Sequence, residues 1–148
     1  MFCARAVRRL HSRLICAAAG LAAGACTAGL DAGYRSGLGC VDDSRECIEQ
    51  RRVALDAIMS DKSRAWVHEP PTPEAYASGV RLFAFKTRKR ELSCGELAVG
   101  RREADNAPAV LRGPQASSLT PAQVSRGLML GAEVSRELAA EMKRRCRA

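Results

Sequence analysis

Apolar residues recur at helical spacing in four stretches of this 148-residue chain. In the first, Asp43 followed by Glu46 reads as an N-cap with its acidic partner. Cys47, Ile48, Leu55, Ile58 and Met59 then share one face as far as about Ser60. Trp66 and Val67 precede Glu69-Pro70-Pro71, a rigid extended connector in which the prolines forbid helix continuation. Thr72-Pro73-Glu74 starts a second helix with a capping hydroxyl, a proline at the first helical position and an acid in the first turn. Tyr76, Val80, Phe83 and Ala84 line its face.

Ser93-Cys94-Gly95-Glu96 forms a capping box for a third helix, with Cys94, Leu97, Ala98 and Ala104 on one side and fraying expected near Asn106. Residues 106–118 hold two prolines, a glycine and two serines around Val110-Leu111, which predicts the longest and most mobile loop. The fourth helix has the fullest set of signals. Leu119 and Val124 can staple around the cap Thr120, Pro121 occupies the first turn, and Gln123 completes a capping box. Val124, Leu128, Gly131, Val134, Leu138, Ala139, Met142 and Cys146 make one apolar stripe, opposite Arg126, Glu133, Arg136, Glu137 and Lys143. The second and fourth helices also echo each other, since Thr72-Pro73 and Thr120-Pro121 are followed at equal offsets by Gly79 or Gly127, Leu82 or Leu130, and Ala84 or Ala132. This pattern predicts an all-α fold, a small up-down bundle of about four helices.

The start of the chain assigns a compartment. Arg5, Arg8, Arg9 and Arg13 form a positive region without an acid, Leu14 to Ala25 form a weakly apolar run, and small residues lead to Cys26, so residues 1–26 read as a secretory signal. A membrane span fits less well, because the run is short and dominated by Ala and Gly. Cys26 is a lipidation candidate with an imperfect lipobox, against ordinary cleavage near Ala25. Residues 27–39 are Gly-rich and aperiodic, a flexible leader to a single domain at 40–148. The chain carries a net +8, and without the four arginines of the signal 20 basic residues face 16 acidic ones, a net +4 that argues weakly for a polyanionic partner.

Four cysteines remain in the domain: Cys40, Cys47, Cys94 and Cys146. In an exported chain an even number implies two disulfides, with three connectivities that spacing does not settle. A metal site is the lesser reading, because Cys40 and Cys47 lack a zinc-knuckle spacing and His68 is the single histidine of the domain. Up-down packing would gather all four cysteines at one pole, and the inward direction of Cys47 favours a distant partner over Cys40.

Three segments carry a resemblance: Gly79-Val80-Arg81-Leu82-Phe83-Ala84-Phe85, Leu92-Ser93-Cys94-Gly95-Glu96-Leu97 and the terminal Arg144-Arg145-Cys146. In these and in the order of its cysteines and helices, the chain resembles a family of small, signal-bearing helical proteins of proteobacteria with no assigned activity. The likeness spans roughly residues 40–146 and implies domain boundaries, without an activity to carry over.

Chemistry is sparse. His68 sits in a proline-flanked connector, and Asp42-Asp43 and Glu103 with Asp105 are acids near helix ends, where they serve the helix dipole more often than a reaction. No haem attachment, Cys-x-x-Cys pair, phosphate loop or calcium loop occurs, and no cofactor is expected. Two basic clusters, Lys86, Arg88, Lys89, Arg90 and Lys143, Arg144, Arg145, end the second and fourth helices, where they favour the dipole. At a shared pole they would merge into one patch for anionic envelope polymers or lipid head groups. The expectation is therefore an exported, disulfide-stapled module of the periplasm or cell envelope with an interaction or structural role. Its partner would be an envelope protein or anionic envelope component, with no nucleic acid and with anchoring through Cys26 as an option. A basic polyanion binder is the alternative and an unrecognised enzyme the third.

Overall fold

The computed structural model describes residues 34–35 and 37–146. The expected signal at 1–26, Cys26 as the lipidation candidate and most of the expected leader therefore lie outside the described residues. The described chain is all-α, with no strand: α1 (Arg45–Ser60), a 3-10 turn (Ala65–His68), α2 (Pro73–Ser78), α3 (Val80–Arg88), α4 (Cys94–Leu111), a 3-10 turn (Pro114–Ala116) and α5 (Pro121–Arg145).

The start signals act largely as the sequence implies. Thr120 accepts from the Gln123 amide while the Gln123 side chain accepts from the Thr120 amide, and Ser93 and Glu96 form the same reciprocal pair at α4. Thr72 caps α2 with Pro73 at its first position. At α1 the cap shifts by one residue from the expected Asp43 to Ser44, whose hydroxyl accepts from the Cys47 amide. Asp42 explains the shift, because its carboxylate takes the Ser44 amide at 2.8 Å and turns the chain ahead of the helix.

Three expectations change in the interior. The second helix divides at Gly79, which has φ +76° and ends α2 in the left-handed region. After this break Arg81 and Phe85 point inward, whereas Phe83, expected on the apolar face, is 44% exposed. In α1, Ala54 takes the core position beside Cys47 and Ile58, and Ile48 and Met59 face out. The third helix continues past Asn106 to Leu111, so the expected loop at 106–118 starts about five residues late. Pro108 is tolerated because it sits on the exposed side, while Ala107 and Leu111 hold the helix to the core and the Arg112 amide closes on the Pro108 carbonyl.

Helix direction follows from named contacts. α4 and α5 are antiparallel: Gly131 of α5 packs against Ala104 and Ala107 of α4, Gly127 against Leu111, and Cys94 meets Cys146. α3 runs with α5, because Lys86 reaches Glu133 at 2.6 Å and Lys89 reaches Glu137 further on. α1 also runs with α5: the Gln123 amide group donates to the Val41 carbonyl beside the start of α1, and Arg88 at the end of α3 donates to the Ile58 and Asp61 carbonyls at its end. Alternation thus holds from α3 through α5, and the connector at 61–72 carries the chain back along the bundle before α2. The echo between the second and fourth helices has a packing role, since Gly79 lies against Leu130 and Gly127 against Tyr76.

Part of the expected leader falls among the described residues. Residues 37–39 are helical, Gly37 is buried against the Gln50 carbonyl of α1, and Tyr34 and Leu38 pack on the core. The core itself joins Ile58, Trp66, Tyr76, Leu82, Phe85, Leu97, Val134 and Leu138, with the Trp66 and Phe85 rings edge to face at 4.7 Å.

Candidate functional site

The four cysteines form two pairs. Cys40 is bonded to Cys47, with Cα atoms 5.4 Å apart, and Cys94 to Cys146, with Cα atoms 5.8 Å apart. The distant partner expected for Cys47 is thereby corrected, and so is the single cysteine pole. Because α1 and α5 run the same way, Cys47 lies by the start of α5 and Cys146 at its end, so the two bridges close opposite ends of the bundle. The reason is the length of the connector at 61–72, which is enough extended chain to span the molecule. Asp42 lies with the first pair, its carboxylate within 4.8 Å of both sulfurs.

The basic clusters do meet at one end. Arg145 donates to the carbonyls of Lys89, Arg90 and Leu92, which brings the end of α5 onto the turn after α3. Most of their charge is occupied. Lys86 binds Glu133, Lys89 binds Glu137, and Arg144 and Arg145 both bind Glu141. Arg88 is 6% exposed and caps the end of α1 through two carbonyls while pairing with Glu91. Arg90 and Lys143 are exposed. The cluster is a bundle clamp over much of its extent.

A cleft of about 620 Å³ lies elsewhere, between the connector and the helices α2 and α4. Val67, His68, Glu69 and Pro71 form one wall, and Tyr76, Val99, Arg102, Glu103 and Asn106 form the other. The prolines explain the open wall, since an extended Glu69-Pro70-Pro71 cannot fold back as helix to fill it. Behind the cleft Arg81 and Glu103 make a bidentate pair, at 3.1 and 2.6 Å, with side chains 2% and 6% exposed. Burial pushes the Glu103 carboxyl above its ordinary value despite the Arg81 charge beside it. Tyr76 donates to the Glu103 carbonyl at 3.1 Å, and burial together with the Glu103 charge pushes its phenol up to about 12. Tyr34 donates to Glu69 at 3.1 Å, and burial and the Glu69 charge raise its phenol as well.

His68 is exposed at the rim, consistent with a loop histidine. Glu103 and Asp105 separate: Glu103 turns inward to Arg81, while exposed Asp105 accepts from Ser135 and faces Arg101 at 3.5 Å. Asp42 and Asp43 stay at the α1 start, where Asp43 pairs with Arg126 at 3.1 Å. Sequence reasoning missed Arg81, Arg51 and the Tyr34–Glu69 contact. Arg81 had a signal, a cation enclosed by Val80 and Leu82 within an apolar helix, and so had Arg51, which lies one helical turn after Cys47 and reaches its sulfur, whereas Tyr34 and Glu69 belong to segments that meet only in the fold.

Among the described residues no helix is long and apolar enough to cross a membrane. No family model, curated protein or solved structure matches this chain.

Proposed function

We propose that this chain is an exported module of the cell envelope, of the resembled proteobacterial kind, that acts by binding a partner protein and not by catalysis. The observation that carries this reading is the cleft between the connector and α2–α4, backed by a buried ion pair. A buried pair of this kind is a weak source of stability, so its placement behind an open cleft fits a role in holding the cleft walls in register. The walls combine apolar Val67, Pro71 and Val99 with Arg102, Glu69 and Asn106, a mixture suited to an extended polypeptide. Two disulfides support folding in an oxidising compartment. Polyanion binding has less support, because Glu133, Glu137 and Glu141 neutralise much of the basic cluster.

A photo-crosslinking side chain at Arg102, used in the intact native envelope, tests the reading. A defined protein adduct that disappears when Val99→Trp fills the cleft is the expected result. Equal capture from Arg136, on the exposed side of α5, or capture indifferent to Val99→Trp, defeats it. Tight, salt-sensitive binding of the purified protein to anionic vesicles, lost on Arg90→Gln with Lys143→Gln, would favour the polyanion reading instead.

A further inference from the structure

We infer that the Cys40–Cys47 disulfide is a thiol–disulfide exchange site, opened by a small-molecule thiol or an exported dithiol protein through attack at Cys40, while Cys94–Cys146 is a structural staple. The two sulfurs of the first bridge are unequal. Cys47 is 1% exposed and sits in the first turn of α1, where its amide is capped by Ser44. Cys40 precedes the helix and is partly exposed, so an incoming thiolate meets it first. Beside Cys47, the Arg51 guanidinium, itself only partly buried, donates to the Cys47 sulfur at 3.5 Å and is fixed there by the carbonyls of Cys40, at 3.2 Å, and Asp42, at 2.6 Å.

This asymmetry selects one leaving group. A thiolate attacks the Cys40 sulfur, a new disulfide forms between them, the Cys40–Cys47 bond breaks, and its electron pair goes to the Cys47 sulfur. A second thiol then attacks the sulfur of the incoming group, releasing the external disulfide and Cys40 as a thiolate. Two electrons pass from the thiols to the bridge. The first leaving thiolate forms against a helix N-terminus and a guanidinium, both of which stabilise it. Asp42 opposes that charge within 4.8 Å, and Asp43 draws on the same Arg51 at 3.6 Å. Both carboxylates are exposed and screened by solvent, and Asp43 is shared with Arg126, whereas Arg51 meets Cys47 at a part-buried contact. Glu46, next to Cys47 on α1, is exposed as well.

The second bridge lacks this arrangement. Cys94 also starts a helix and is more exposed than Cys40, so access does not separate the bridges; the cation does, because among the described residues no side-chain cation donates to the sulfur of Cys94 or of Cys146, and Arg144 and Arg145 are turned to Glu141 and main-chain carbonyls. The bridges also differ in sequence separation, 7 against 52, so opening the first frees little chain and leaves α4 and α5 tied.

The test exposes the folded, oxidised protein to graded ratios of reduced to oxidised glutathione, blocks thiols by alkylation and maps each cysteine by mass spectrometry. Cys40–Cys47 should open first with helicity unchanged, and in a Cys47→Ser variant the free Cys40 thiolate should take one glutathionyl group from oxidised glutathione as a mixed disulfide, releasing the other half as glutathione. Arg51→Gln should slow opening by about 10-fold through loss of thiolate stabilisation, and Arg51→Lys should restore part of the rate. Opening of Cys94–Cys146 first, opening of both bridges only with loss of helicity, or rates equal in Arg51→Gln and the parent would overturn the assignment. Should Arg51→Gln fail to fold, the order of opening in the parent protein decides alone.

Discussion

Arg81 and Glu103 show how one residue pair can work against stability and still be indispensable once present. Taking both charges out of water costs several kcal/mol per ion, which the bidentate contact offsets only while both partners remain. Glu103→Leu, which leaves Arg81 buried without its partner, should destabilise the fold by about 3–5 kcal/mol in denaturant unfolding. Combining it with Arg81→Met should recover most of that loss, because the remaining charge is removed. A double variant no more stable than the single would show that the pair is worth more than its desolvation cost. Glu96 makes the opposite case in acid. Partial burial would raise its carboxyl, but hydrogen bonds from the Arg64 guanidinium, at 2.7 Å, and from Ser93 hold it down to about 2 from an ordinary 4.5. A carboxyl depressed in the folded state stabilises fully above its unfolded value and loses that contribution as pH falls toward its folded one. The difference in unfolding free energy between the parent and Glu96→Gln should therefore be constant above about pH 5 and shrink between pH 4.5 and 2. A constant difference across this range would mean that Glu96 acts only as a neutral helix cap.

At the scale of elements, the sequence was legible where local chemistry decides and opaque where a neighbour does. α5 was readable from cap to final cation because Thr120, Pro121 and Gln123 act within one turn and its stripe is long. Ser93 and Thr72 were readable for the same reason. The break at Gly79 and the survival of Pro108 inside α4 were not, since Gly79 sits against Leu130 of α5, and Pro108 faces out while Ala107 and Leu111 hold its helix to the core. Of the candidate site, the four cysteines were identified but not their pairing, and the cleft was invisible because its walls come from the connector and two helices. The α4–α5 contact illustrates such a dependence and is testable. A Cβ added at Gly131 would stand 2.8 Å from the Ala107 Cβ and 3.2 Å from the Ala104 carbonyl, between two helices that cannot easily part. Gly131→Ala should cost about 1–3 kcal/mol by overpacking, despite the better helix propensity of alanine. Adding Ala107→Gly should cost less than it does in the parent, because the empty methyl position receives the new one. Strict additivity of the two changes would show that the helices do not meet at this point.

For the whole molecule, the two disulfides divide the labour that a small core leaves undone. The bridge at Cys94–Cys146 closes 52 residues of chain and ties the start of α4 to the end of α5, whereas Cys40–Cys47 closes only 7 and fastens the segment ahead of α1. Restricting the unfolded chain by those loop lengths stabilises by about 4 kcal/mol for the longer and about 2.5 kcal/mol for the shorter on the chain-entropy estimate. Removing the longer bridge as Cys94→Ala with Cys146→Ala should therefore lower Tm more than removing the shorter as Cys40→Ala with Cys47→Ala. Packing reinforces the difference: Arg145 ties the end of α5 to the Lys89, Arg90 and Leu92 carbonyls, so fraying there also loosens the turn between α3 and α4. The start of α1 keeps other ties when its bridge is absent, through Gln123 to the Val41 carbonyl and Arg126 to Asp43. Thermal unfolding of the two double variants, followed by circular dichroism, checks the ranking. An equal or larger loss from the Cys40–Cys47 pair would place the decisive staple at the start of α1 and would count against that bridge opening in the folded protein.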